Sequence, residues 1–423
     1  VISTQTGGTP QTNMDLMRAM NGKYKCFLLR CDSKTITLSV LKSGKLIELE
    51  VYSLAKAIDP VTHRSDEYDR VVLDILYRHS ITLLHIRHIG WHSMGLSTAA
   101  KSLHIPVIYS SHDFYAICPS LNLLDNELKY CGGKCTPGEG TCQIALWPSA
   151  NIPSLKHRFI VRWREMFREF LRDCDEVITT APSARDILLA TYPEIAGKFR
   201  VIPHGREFSH FINAVSDLNP EEKIRVLVPG NISLSKGAQL IKDMAVLDTA
   251  GRIEFHFLGD VWPGLIGVGV HHGKYSRESF GEKVGLINPH LGVVLSIWPE
   301  TYCHTLTEMW ACGVPVLGFD VGAVGDRLKA SGAGWPVSLK STPADVYQVI
   351  IDAVHERDSY SEKLTRTRAW QQTEGICRKP SMDISISANS PNQEAAAQIV
   401  NCLINEEEGF TILELVVTLA ILM

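Results

Sequence analysis

Residues 292 to 326 read GVVLSIWPETYCHTLTEMWACGVPVLGFDVGAVGD, and the reading of this stretch decides the fold. Gly292 to Ile297 is an apolar run too short for a helix, so it predicts a buried strand. Thr305 to Ala311 carries a helical pattern that Gly313 stops and Pro315 keeps from continuing, and Val314 to Phe319 predicts a second buried strand. Strand, loop, helix and strand in that order predict a parallel α/β unit. The loop holds Glu300 and Glu308 at the C-terminal end of the first strand, where open α/β sheets place their ligands. Glu308 has two readings. It could close a capping box with Thr305, accepting from the Thr305 backbone N–H. Alternatively it accepts from vicinal hydroxyls with both oxygens. No metal-ligand spacing surrounds the two carboxylates, which leaves sugar or ribose hydroxyls as their natural partners.

Upstream, Ile224 to Val228 predicts a strand, followed by Gly230-Asn231-Ile232-Ser233-Leu234-Ser235-Lys236-Gly237 and a helix to Ala245. Gly230 supplies the turn, and Lys236 stands where its ammonium can meet a phosphate. At the N-terminus, Gly7-Gly8-Thr9 precedes a helical pattern from Asn13 to Met20, a glycine turn that lets backbone N–H groups approach an anion. Strands over Tyr24 to Arg30, Ile36 to Leu41, Ile81 to Ile86, Ile105 to Ser110, Asp175 to Thr180 and Phe199 to Pro203 alternate with helical stretches, which predicts a parallel sheet here too.

The spacing Glu300-x7-Glu308, followed by Ala311-Cys312-Gly313-Val314-Pro315-Val316, resembles the signature of the family 4 retaining glycosyltransferases. That resemblance implies the GT-B fold, an α/β architecture of two facing Rossmann-like domains with a cleft between them. It spans about residues 1 to 370 and implies roles for particular residues. Glu308 would hold the nucleotide ribose and Glu300 would touch the donor sugar. The Gly7 and Gly8 pair would lie beneath the donor diphosphate and the acceptor. His112, after the Ile105 to Ser110 strand, would face the donor sugar. Without the resemblance, His112 reads equally well as a loop histidine bonded to carbonyls. Gly230, Asn231, Lys236, Gly237, Thr305 and Leu306 would cradle the nucleotide diphosphate, and the backbone of Val270 to Tyr275 would read the base. The family has an arginine near the start of the Gly230 loop, where this chain has Asn231 or Ser233. One charge on the diphosphate is therefore missing or comes from Arg206.

At 423 residues the chain predicts two domains or three, and 45% hydrophobic with 21% charged residues is ordinary for a globular protein. A net charge of −4 without a Lys/Arg run gives no field for nucleic acid. Eleven cysteines, an odd number, and no N-terminal signal peptide point to the reducing cytoplasm. Val1-Ile2-Ser3 reads as the tail of a first strand, so the chain is expected to begin inside its natural sequence.

Cys118, Cys131, Cys135 and Cys142 cluster in a Gly-rich polar insertion, and Cys131-x3-Cys135 has the spacing of a zinc pair. A structural zinc on these four is the expectation, with a disulfide or free thiols as the alternatives. His85, Arg87, His88 and His92 crowd together near Trp91, but no Cys or carboxylate beside them completes a metal site. KHRFIVRWREMFREFLR, residues 156 to 172, predicts an amphipathic basic helix covering the sheet, the alternative being a patch that lies on an anionic membrane.

The expected domains are 1–206 on the acceptor side, a linker at 207–223, and 224–370 for the nucleotide sugar, then a polar tail over 371–408. Gly409-Phe410-Thr411-Ile412-Leu413-Glu414-Leu415 resembles the processing site of type IV prepilins. Only 14 residues follow Gly409, fewer than the roughly 20 a membrane span needs. Residues 409–423 thus read as a fusion, a frameshift or a graft, with a hydrophobic C-terminal helix packed on the domain as the plain alternative. The function expected is a retaining hexosyltransferase, needing no cofactor for catalysis. It would move sugar from a nucleotide diphosphate sugar to a polysaccharide, lipopolysaccharide or lipid-linked glycan, in the cytoplasm or peripherally on the inner membrane face. The alternatives are a nucleotide-sugar epimerase on the same fold and a noncatalytic pilus-associated adaptor.

Overall fold

The computed structural model describes residues 8–21, 24–135, 142, 146, 158–205, 208, 211–215, 222–375 and 420–422. Gly7, Arg206 and the prepilin-like motif Gly409 to Leu415 lie outside them. The chain divides into two compact units, one of residues 1–126, 131–206 and 379–423, the other of 127–130 and 207–378.

The first unit opens with helix α1 (Gly8–Met20) and strands β1 (Tyr24–Cys31), β2 (Thr35–Lys42) and β3 (Lys45–Ser53). Contrary to the expected parallel sheet, these three strands form an antiparallel meander. The cause is local turn chemistry. Ser43 and Gly44 both have positive φ, the conformation of a two-residue hairpin loop whose twist matches the strands, and Lys42 pairs with Lys45 across it. At the other hairpin the Asp32 carboxylate accepts from the Lys34 and Thr35 N–H groups at 3.0 and 2.6 Å.

The parallel arrangement begins further along. Helix α2 (Asp66–Arg78), strand β4 (Leu84–Ile86), helix α3 (Gly95–Ser102), strand β5 (Val107–Ser110), helix α4 (Arg158–Asp173), strand β6 (Glu176–Thr179), helix α5 (Pro182–Thr191) and strand β7 (Phe199–Val201) follow. They build a four-stranded parallel sheet in the order β4-β5-β6-β7. Helix α4 covers it as the plain reading of its pattern expects. Trp163, Phe167 and Phe170 are buried, and the Trp163 indole N–H donates to Tyr115 O at 2.8 Å. Burying aromatic faces of this size dominates the packing of such a helix.

The second unit contains β8 (Ile224–Pro229), α6 (Ala238–Leu247), β9 (Ile253–Leu258), β10 (Val270–His271), α7 (Phe280–Ile287), β11 (Leu291–Val294), α8 (His304–Ala311), β12 (Val316–Phe319), α9 (Gly322–Ser331), β13 (Gly334–Val337), α10 (Pro343–His355) and α11 (Arg357–Trp370). Its six strands are all parallel, in the order β10-β9-β8-β11-β12-β13. Val226 and Val228 join one apolar core while Leu227 joins another, because successive strand side chains point to opposite faces and helices cover both. Phe211 to Val215, in the stretch read as linker, is held to this unit by Ile212 N donating to Ala311 O at 3.1 Å and Ala214 N to Cys312 O at 2.9 Å. Strand β14 (Ala420–Leu422) pairs antiparallel with β1, so this end of the prepilin-like segment is strand, where the plain alternative expected helix.

One buried carboxylate gives the first unit a pH dependence. Glu176 at the start of β6 is 6% exposed, with Arg200 3.5 Å away. Burial pushes its carboxyl from 4.5 up to about 7, with Arg200 opposing. Between those values the folded state holds a proton that the unfolded chain has released. The stabilisation is present in full below pH 4.5 and is lost as pH rises through about 7. Glu176→Gln should therefore melt at a higher temperature than wild type at pH 8, with the gap shrinking towards pH 5. A gap independent of pH in thermal denaturation would refute this.

Candidate functional site

In the second unit the chain runs from β8 outward through β9 to β10, then returns to β11 and runs the other way to β13. The loops after β8 and β11 therefore diverge, leaving a crevice at the C-terminal ends of the two strands, the place where doubly wound sheets bind ligands. A cavity of about 60 Å³ lies there, lined among others by Gly230, Asn231, Lys236, Ser296, Glu300 and Thr305.

Its centre is an ion pair. The Lys236 ammonium donates to Glu300 Oε1, and the Ser296 hydroxyl donates to the same oxygen. Burial alone would lower Lys236 and raise Glu300. Their mutual attraction outweighs it, so Lys236 is held above its ordinary range and Glu300 below. Lys236 also stands 5.5 Å over the Trp298 ring, and the Trp298 indole N–H is buried without a hydrogen-bond partner among the described residues. The two residues expected on phosphate and on sugar thus neutralise each other here.

Glu308 lies on α8, 5% exposed, and accepts from the Tyr275 hydroxyl at 3.2 Å. The capping-box reading fails, since α8 begins at His304, with Cys303 at the N-cap in a left-handed conformation and no side-chain cap. Starting the helix there moves Glu308 too far into it to cap Thr305. Thr305 lines the cavity, whereas the Leu306 side chain is fully buried in the apolar core, leaving only its backbone for a ligand. Gly237 has a structural requirement of its own. Its φ is 82°, and a Cβ there would stand 2.4 Å from Leu295 O.

In the first unit His112 follows β5 as expected. Its Nε2 accepts from Arg87 Nε at 2.9 Å, and its ring stacks on His204 with centroids 5.3 Å apart. Arg87 also donates to the Thr12 hydroxyl of α1 at 2.8 Å. The histidine group around Arg87 is structural. His85 bonds Ser110 at 2.7 Å, His92 bonds Tyr68 at 2.6 Å, and His88 meets Asp113 at 3.2 Å. Gly8 starts α1 and is exposed.

The glycosyltransferase family 4 model matches residues 48–209. Among solved structures, sucrose-phosphate synthase from Thermosynechococcus elongatus is 14% identical, with 95% of each chain covered at a TM-score of 0.51. The fold is GT-B. Within that fold, residues 48–209 carry the glycosyltransferase family 4 match. HepE of Anabaena, solved with UDP, is 14% identical over 72% of this chain and 77% of its own at a TM-score of 0.48. A glycosyltransferase from Rickettsia africae is 14% identical over 76% and 78% at 0.49. A comparison with curated proteins found no match.

Cys118, Cys131, Cys135 and Cys142 line one cavity of about 340 Å³. Among the described residues, however, no three His, Cys, Asp or Glu side chains are placed to hold a metal ion. Cys131 Sγ donates to Leu123 O at 3.1 Å, and burial pushes Cys118 up to about 11. No described helix is long and apolar enough to cross a membrane.

The sequence reading missed several residues at the site. Ser296 and Trp298 flank the strand end, Tyr275 bonds Glu308, and Arg327 braces the signature loop through Tyr302 O at 2.9 Å and the Thr307 hydroxyl at 2.7 Å. Arg87 was visible only as one of a basic group. None carries a local motif; Ser296 and Trp298 share the loop of Glu300, whereas Tyr275 and Arg327 reach it from other elements.

Gly237→Ala should lower stability by about 1–3 kcal/mol through its left-handed backbone, before any effect on ligands. Denaturant titration checks this, and an unchanged midpoint would contradict the assignment.

Proposed function

We propose that the protein transfers a hexose, with retention, from a nucleotide diphosphate sugar to a polysaccharide or lipid-linked glycan. The observation that carries the reading is the Lys236 and Glu300 pair at the strand-order reversal, with Glu308 on the adjoining helix α8. A cation at that point suits a diphosphate, and acceptor-only carboxylates suit hydroxyls of sugar and ribose. In this reading the donor's phosphate takes over Lys236, which releases Glu300 to the sugar hydroxyls. Charge that grows on the leaving diphosphate is met by Lys236 and by the backbone N–H groups at the start of α8. Glu308, steadied by Tyr275, accepts from the ribose. His112 contacts the sugar.

Apolar residues of α4 are committed to the core, which supports a covering helix over a membrane patch. An epimerase on the same fold is separated by product analysis, since it would isomerise the donor sugar and leave the acceptor unmodified.

Lys236→Ala leaves Glu300 buried without its partner and should cost stability as well as binding. The informative quantity is therefore a ratio. Nucleoside diphosphate affinity should fall far more than nucleoside affinity in calorimetric titration, and equal losses would sink the phosphate role. Glu308→Gln should weaken nucleotide and nucleotide sugar alike by about 1.5–3 kcal/mol, the cost of a hydrogen bond to a charged group. Glu300→Gln should spare the nucleotide and reduce turnover. Wild-type nucleotide affinity in Glu308→Gln would remove Glu308 from the site.

A further inference from the structure

We propose that Arg87 is a positioning residue that holds His112 as an uncharged imidazole with its proton on Nδ1. The guanidinium has no acceptor atoms, so the 2.9 Å contact from Arg87 Nε to His112 Nε2 has one chemical reading, with arginine donating and Nε2 carrying no proton. Arg87 cannot easily turn away. It is 1% exposed, follows directly on β4, and is tied at its other end to the Thr12 hydroxyl at 2.8 Å. Burial pushes its guanidinium down to about 9, Asp15 opposing, so it remains a cation near neutral pH.

Protonating His112 at Nε2 would place an N–H against an N–H and a second cation beside a buried first one. Both costs fall on the imidazolium alone. Among the described residues, the charged and titratable groups facing this pair include His204, stacked on His112 from beyond β7, and Asp15 of α1 and His85 of β4, both near Arg87. Asp113, next to His112 in sequence, is taken up by His88.

The consequence for transfer rests on the reading that His112 meets the donor sugar. As the sugar loses its diphosphate, positive charge grows at the anomeric carbon. An imidazolium beside it would oppose that charge, while a neutral Nδ1–H can donate to a sugar oxygen without doing so. Arg87 would thereby keep the transferase active at pH values where an ordinary histidine, with a pKa of about 6.5, is half protonated.

The test uses the full chain labelled with ¹⁵N at histidine, with the His112 resonances assigned by their loss in His112→Gln. Wild type should show the Nδ1–H tautomer with no titration midpoint between about pH 5.5 and 8. A wild-type His112 protonated at Nε2, or titrating near 6.5, overturns the proposal without reference to any variant. Arg87→Met should let His112 titrate in the ordinary range, and Arg87→Lys, which can still donate to Nε2, should restore the wild-type behaviour at least in part. UDP-, GDP- and ADP-glucose are then screened by thermal shift, and the one that stabilises wild type most is used for kinetics. Below about pH 6.5 the kcat/KM of Arg87→Met should fall roughly tenfold per pH unit while wild type stays flat. If the tautomer is as stated but His112→Gln keeps wild-type kcat/KM, the sugar contact fails and the positioning by Arg87 stands.

Discussion

Lys236 and Glu300 form an ion pair where β8 and β11 part company, and the local structure of the second unit serves to hold it. Opposite charges withdrawn from water remain charged only when close and further hydrogen-bonded. Ser296 supplies the extra donor to Glu300. Lys236 is brought in by a single 3₁₀ turn that ends at the left-handed Gly237, whose missing Cβ lets the chain lie against Leu295 at the end of β11. The sheet order sets where this can happen. Only between β8 and β11 do neighbouring strands send their following loops in opposite directions.

A pocket built in this way answers to its ligand electrostatically. With the pair closed, cation and carboxylate satisfy each other. In the proposed reading a diphosphate competes for the cation with more negative charge than one carboxylate offers, so that binding of the phosphates and freeing of Glu300 would be one event. Glu308 lies outside this exchange. It accepts from the neutral Tyr275 hydroxyl.

The first unit presents a different kind of control. At the ends of its parallel strands His112 accepts a hydrogen bond from the buried Arg87, and the surrounding histidines are absorbed into bonds with Ser110, Tyr68 and Asp113. The crowd of basic residues that imitates a metal site in the sequence is thus a set of separate polar contacts within a packed core. Helix α4 shows the same displacement of meaning, since the aromatic residues that would suit a membrane surface pack against Tyr115 and its neighbours.

By itself the sequence determined β8, α6, β11, α8 and β12 of the second unit, but not β10, α7, α9 or β13. Its apolar runs of four to six residues were too short for helices, Gly313 and Pro315 ended the helix between two of them, and Glu300 and Lys236 stood in loops where a parallel sheet exposes its ligands, with Glu308 on the helix α8 that follows. It also carried the sign of the β2–β3 hairpin, Ser43-Gly44, although the βα alternation further along obscured it. Tertiary structure alone decided the rest, because it depends on atoms brought together from distant positions. Lys236 meets Glu300 across 64 residues, Arg87 meets Thr12 across 75, and Tyr275 meets Glu308 across 33. Whether Thr305 capped its helix turned on where α8 began, and that was set by Cys303 adopting a positive φ of 71°, a conformation no local preference of cysteine foretells.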